Sequence, residues 1–246
     1  MTATNSPWGW LDNNEPTPAA VVPLPQRPRS VPTVAVIGAA GGAGVSVLSV
    51  LVADARARAG QSVLWLDAAA TPGDVAARIA SPDAASEYSA GGALLRSSEG
   101  LDEIPSQAIS AGGSVIVDAG VVDKGSAWLT STTAVVLVIA ARPDTANRSR
   151  SGLQMLAAAG VLTRATAVVA CLDPWASHLV GQRLVQSLTA RMSRVLLWDY
   201  DPHLGTGGPI DPTRLASSTT TVVEHLAGLR TTATEHDNDL AAEANS

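Results

Sequence analysis

Between residues 31 and 230, short apolar runs alternate with longer stretches whose apolar positions recur every three to four residues. The runs at 33–38, 62–67, 114–118, 134–140, 165–172 and 194–198 are rich in Val, Leu and Ile and nearly continuous in apolar character. Such runs fit a parallel sheet covered on both faces. The first helical stretch presents Val47, Leu48, Leu51, Val52, Ala55 and Ala59 on one face, with Ser49, Asp54, Arg56 and Arg58 largely off it, and Gly60 stops it. Further helices are expected over 145–159, 175–192 and 214–229. The alternation predicts an α/β fold: one domain with a doubly wound, mostly parallel sheet flanked by helices and right-handed crossovers.

Ligands in such folds bind at the carboxyl ends of the strands, and the most distinctive segment of the chain lies there. Four apolar residues, Val34 to Ile37, lead into a glycine- and alanine-rich turn and then a helix. Glycines let backbone N–H groups close on a phosphate, and the helix N-terminus adds partial positive charge. Gly41, Gly42, Ala43 and Gly44 would form that cradle. A P-loop ends in Gly-Lys-Ser/Thr; here Gly44 and Ser46 are present, but Val45 stands at the lysine position. Asp67 and Asp118 each close an apolar strand. Beside the loop, such carboxylates could hold, through water, the Mg²⁺ that bridges nucleotide phosphates, with Ser46 and Asp118 the candidate metal residues. The alternative role for either aspartate is to cap a helix or loop.

With these residues in order, the chain resembles the ParA/MinD group of deviant P-loop ATPases, and within it the TadZ/CpaE branch. The resemblance runs from about Val31 to Pro212. Gly41 to Ser46 resembles the end of the family's Lys-Gly-Gly-x-Gly-Lys-Ser/Thr, residues 59–67 its second strand, and residues 71–75 the loop that follows. Residues 115–118 resemble Walker B, 135–143 the next strand with its Pro-containing loop, and 197–202 a late loop that lies near the base in relatives. Tyr200 and Pro202 are therefore base-side candidates. The resemblance implies ATP or ADP with Mg²⁺ as ligand, a homodimer, and a role in positioning cellular machinery such as septa, pili, secretion or conjugation complexes, or chromosomes.

The departures fall on the cations. Ala40 replaces the signature lysine that reaches across a dimer in the family, and Val45 replaces the Walker A lysine; Ala69 and Val122 also depart from the pattern. A hydrogen bond to a charged group contributes roughly 1.5–3 kcal/mol, so each loss weakens nucleotide affinity by roughly 10- to 150-fold. Hydrolysis suffers more than binding, because the transition state carries the developing charge. The expectation is weak nucleotide binding with little or no turnover: a pseudo-ATPase platform.

Two other readings stay open. Gly38, Gly41 and Gly44 also fit a dinucleotide fingerprint, and Asp67 lies 23 positions beyond Gly44, where a ribose-binding acid belongs. Alternatively, the glycines serve only a tight turn in an interaction scaffold that binds no nucleotide.

Residues 1–30 carry six prolines and little periodicity, the composition of a disordered arm; Trp8 and Trp10 within it are candidate anchors for a protein partner. Residues 231–246 hold four carboxylates and no Lys or Arg, an acidic flexible tail. The net charge of −6 argues against wrapping nucleic acid with the whole surface. The segment from Arg142 to Arg194 holds seven Arg against two Asp, a local surplus that DNA contact or ordinary solvated helix faces would explain. The longest apolar run, 134–141, is eight residues, short of the ~20 that span a bilayer, so any membrane-bound machinery would be a partner. A single cysteine, Cys171, fits a small core residue in a cytoplasmic protein, and no histidine stands at zinc-ligand spacing from it.

Overall fold

In the computed structural model, seven strands form one sheet: β1 (Thr33–Gly38), β2 (Val63–Asp67), β3 (Leu94–Ser97), β4 (Ser114–Val121), β5 (Ala134–Ala140), β6 (Ala165–Ala170) and β7 (Val195–Trp198). Their order is β3-β2-β4-β1-β5-β6-β7, and every pairing is parallel. The helices are α1 (Val45–Arg58), α2 (Val75–Ile79), α3 (Pro143–Ala158), α4 (Ser177–Thr189), α5 (Pro202–Gly205) and α6 (Ser217–Ala227). The structure describes residues 31–70, 73–81, 87–98, 104, 113–121, 127–175, 177–192 and 194–228. These residues belong to one compact unit that begins at Val31. The Trp8 and Trp10 arm and the acidic tail lie outside them. No helix among the described residues is long and apolar enough to cross a membrane.

Strand alternation divides the core in two. Val34, Val36, Trp65, Ile116, Val138 and Val168 pack on the side of α1 and α6. Ala35, Ile37, Val117, Leu137 and Val169 face the other side, with Leu156 of α3 and Leu188 of α4. Burial on both faces is why the strands read as continuous apolar runs.

The strand order overturns the dinucleotide reading. In that fold the first strand lies against the second. Here β4 separates β1 from β2, so the acid ending β2 is paired with Asp118 rather than with the glycine-loop strand.

The one-faced picture of α1 also needs correction. Ser49 and Asp54, placed off the apolar face, are buried, as are Val50 and Ala53. α1 is enclosed because it packs on β4, β2, α2 and α6 together. Its polar groups are satisfied: Ser49 Oγ accepts from Trp65 Nε1 at 3.0 Å and donates to the Ser46 carbonyl, while Asp54 accepts from Gly91 N–H at 2.6 Å and Arg58 Nε at 2.7 Å. The strand β3 and the short helices α2 and α5 add to the expected elements.

Candidate functional site

The turn between β1 and α1 is shaped by two close approaches. At Gly38, a Cβ would stand 2.8 Å from Val45 Cγ2, so the valine at the lysine position lies back against the end of β1 and is buried. Gly44 has φ +89°, a left-handed conformation that favours glycine, and a Cβ there would meet the Trp198 ring at 3.2 Å. Ala43 is buried in the core beneath the loop, and Ala40 is buried as well. Gly41 and Gly42 are the opposite case: both are exposed, and a Cβ on either would meet nothing within 4 Å. Their backbone is therefore open to an incoming group. No side chain caps the N-terminus of α1, and the first-turn N–H groups of a helix have no intrahelical acceptor.

Asp67 and Asp118 are register partners on neighbouring strands. Trp65 and Ile116, two residues before them, pack in the core on the α1 side, so alternation projects both carboxylates from that side. Asp67 ends β2, whereas β4 continues past Asp118 to Val121, so Asp118 does not close its strand as expected. Their surroundings differ. Asp67 Oδ1 accepts from Ala69 N–H at 3.1 Å, and the Gly73 N–H also favours its charged form, so this aspartate partly serves as a loop cap. Burial nevertheless pushes its carboxyl above the ordinary value. Asp118 is fully buried; Oδ1 accepts from Gly120 N–H at 3.0 Å, whereas Oδ2 is buried with no hydrogen-bond partner. Burial raises the Asp118 pKa; the Ser46 hydroxyl and Gly120 N–H oppose the rise, and the Asp67 charge adds to it. Among the described residues neither aspartate forms an ion pair. A buried carboxylate oxygen without a donor, beside a serine hydroxyl and a second carboxylate, is chemically suited to a hard divalent cation.

On the other side of Gly44 lies a cavity of about 140 Å³, lined among others by Val47, Trp198, Asp199, Tyr200 and Leu204. It is smaller than the ~300–1,000 Å³ typical of drug-sized pockets and suits a ring-sized group. Trp198 lines it, with Nε1 donating to Thr219 Oγ1 at 3.0 Å. Tyr200 lines it, packed against Gly205. Pro202, the other base-side candidate, does not line the cavity: it is exposed at the first position of α5. Its neighbour Asp201 organises the wall instead, accepting from His203 and Leu204 N–H through Oδ1 and from Ala216 N–H at 2.8 Å through Oδ2. An Asp before a Pro is a helix-start signal, and it marks this turn in the sequence. Trp198 and Asp199 fall within the 197–202 segment expected near the base, though neither was singled out there.

The arginines of 142–194 are distributed over several elements. Arg142 immediately precedes α3, which leaves the carboxyl end of β5, Arg148 and Arg150 lie in its first half, and Arg183 lies in α4. Arg191 and Arg194 lie just before β7, at the amino edge of the sheet, and Arg164 donates to the Leu129 and Thr130 carbonyls.

The sheet order, the glycine turn leading into α1 and the flanking helices define a P-loop NTPase fold of the ParA/MinD type. Solved structures agree. The MinC:MinD cell division protein complex of Aquifex aeolicus matches at a TM-score of 0.57 with 15% identity, over 81% of this chain and 95% of that one. A ParA family ATPase from Chlorobium tepidum TLS matches at 0.56 with 15% identity, over 82% and 99%. A putative plasmid partition protein from Borrelia burgdorferi B31, bound to AMPPNP, matches at 0.52 with 9% identity, over 80% and 98%. No family model matches the chain, and no curated protein matches it by sequence.

Proposed function

We propose that this chain is a ParA/MinD-type nucleotide-binding protein that acts as a positioning or regulatory platform and turns ATP over slowly or not at all. The observation that carries the reading is the Asp118 Oδ2 atom, buried and unpartnered on a carboxylate that lies near the Ser46 hydroxyl in the first turn of α1. Gly41, Gly42, Ala43, Gly44, Val45 and Ser46 would hold phosphate through main-chain N–H groups. Ser46 and Asp118, with Asp67 behind them, would hold Mg²⁺, and Tyr200 would border the base. The ion supplies neutralising charge to the phosphates when bound.

Val45 determines the character of the site. An apolar side chain folded onto Gly38 offers no charge to a phosphate, so two carboxylates face the place where anionic oxygens would arrive. Binding should therefore depend on Mg²⁺ more strictly than where a lysine is present, and the transition state lacks a cation that would speed hydrolysis. Any homodimer must be held without a lysine at position 40. The same buried valine is what the second reading, a scaffold without nucleotide, would rest on.

The test is a thermal-shift and phosphate-release series with ATP, ADP and NADH, each with Mg²⁺, alongside mass determination on a sizing column. Stabilisation by ATP or ADP without phosphate release supports the platform. Stabilisation by none of the three leaves the scaffold, and rapid release refutes the pseudo-ATPase.

A further inference from the structure

Three side chains from separate elements converge at the edge of the cavity. Cys171 follows β6, His178 lies in the first turn of α4, and Asp199 follows β7. One ligand atom from each lies within 4.8 Å of the other two. The sheet explains the meeting: β6 and β7 are parallel neighbours with Ala170 paired to Trp198, so residues 171 and 199 leave it side by side. Gly181 lets α4 close over them, since a Cβ there would stand 3.1 Å from Cys171 Sγ and 3.0 Å from Leu197 Cδ1.

The geometry points to a binding site for a thiolate-seeking divalent cation, zinc being the type, ligated by Cys171 Sγ, His178 Nδ1 and an Asp199 carboxylate oxygen. This site is independent of the nucleotide reading. The donor set, one sulfur, one imidazole nitrogen and one oxygen, is the kind zinc selects. Bonds of about 2.0–2.3 Å place tetrahedral donors roughly 3.3–3.7 Å apart. His178 Nδ1 and Asp199 Oδ1 are 3.0 Å apart, and the other separations, at most 4.8 Å, lie within about an ångström of that range. The imidazole and carboxylate are about half exposed and free to turn by that amount, while Cys171 is buried and fixed.

The Gln182 amide nitrogen Nε2 lies 2.9 Å from His178 Nε2. Rotation of that amide by 180° would turn its oxygen to the Nε2 proton and leave the Nδ1 lone pair for the cation, the outer-shell arrangement that metal-ligating histidines use. Metal binding would release the thiol proton to solvent and form the S–metal bond in its place. Cys171 and Asp199 both line the cavity, so a fourth position would open toward it for water or an entering group.

The experiment is a Co²⁺ titration of the chelator-treated full chain, followed by Zn²⁺ competition. The expected result is a thiolate-to-cobalt charge-transfer band in the near ultraviolet that Zn²⁺ removes. Cys171→Ser abolishes the band. His178→Ala and Asp199→Asn each weaken Co²⁺ binding by roughly tenfold or more. Should Cys171→Ser destabilise the fold, the two variants at half-exposed positions decide the matter. Absence of the band in the folded wild type, or wild-type Co²⁺ affinity in both His178→Ala and Asp199→Asn, overturns the site.

Discussion

Restoring a lysine at position 45 separates a degenerate nucleotide site from a mere turn. Val45 is 7% exposed and packs against Gly38. A lysine stem keeps part of that contact but gives up one buried methyl, about 1 kcal/mol, and a cation in the first turn of a helix costs roughly 0.3–1 kcal/mol. The ligand-free variant should therefore lose about 1–2 kcal/mol, or roughly 2–8 °C for a chain of this size, less whatever Asp67 and Asp118 return by attraction. With ATP present the sign reverses: a hydrogen bond from a charged donor to phosphate contributes roughly 1.5–3 kcal/mol, so affinity rises by roughly 10- to 150-fold. Calorimetry on wild type, Val45→Lys and the uncharged control Val45→Met measures this. Unchanged affinity in a folded Val45→Lys variant, or an equal gain in Val45→Met, refutes the reasoning. Ala40 is a poorer place to start, because it is itself buried.

Three further outcomes are expected. Burial, with Asp67 adding to it, raises the Asp118 pKa above its ordinary 3.8, so the folded state holds that proton more tightly than the unfolded one. The resulting stabilisation is complete below 3.8 and is lost as pH rises through the raised value. Asp118→Asn should therefore melt a few degrees higher than wild type near neutrality without ligand, by about 1–3 kcal/mol, and a lower melting point would contradict the assignment. Gly44→Ala must place a Cβ at φ +89° and 3.2 Å from Trp198. It should cost about 1–2 kcal/mol and weaken ligand binding in the cavity; a denaturation curve matching wild type would exclude the strain. Asp201→Ala frees the N–H groups of His203, Leu204 and Ala216, for about 1–3 kcal/mol of destabilisation measured by urea unfolding; a smaller loss would mean water replaces the carboxylate.

The sheet was largely legible because burial on both faces leaves a continuous apolar signature: β1 and β5 fall where the pattern places them. The edge strand β3 was not, since Arg96 and Ser97 are exposed and break the run. Ser49 reads as a surface residue because its partner, Trp65 Nε1, comes from another element sixteen positions away. The missing lysine is visible at Val45, but not that the valine turns back onto Gly38. The pairing of Asp67 with Asp118 depends on β4 entering the sheet between β2 and β1, a long-range choice that local pattern does not encode. Cys171, His178 and Asp199 are the clearest case. Their spacing along the chain resembles no metal motif, and the crossover through α4 brings them together.

ATP titrated calorimetrically into the wild type and Asp118→Asn, with Mg²⁺ and then with a chelator, bears most directly on the nucleotide site. Saturable binding is expected only for the wild type with Mg²⁺. Equal affinity in the chelator, or no binding to the wild type under either condition, would contradict a magnesium-dependent site at the glycine loop.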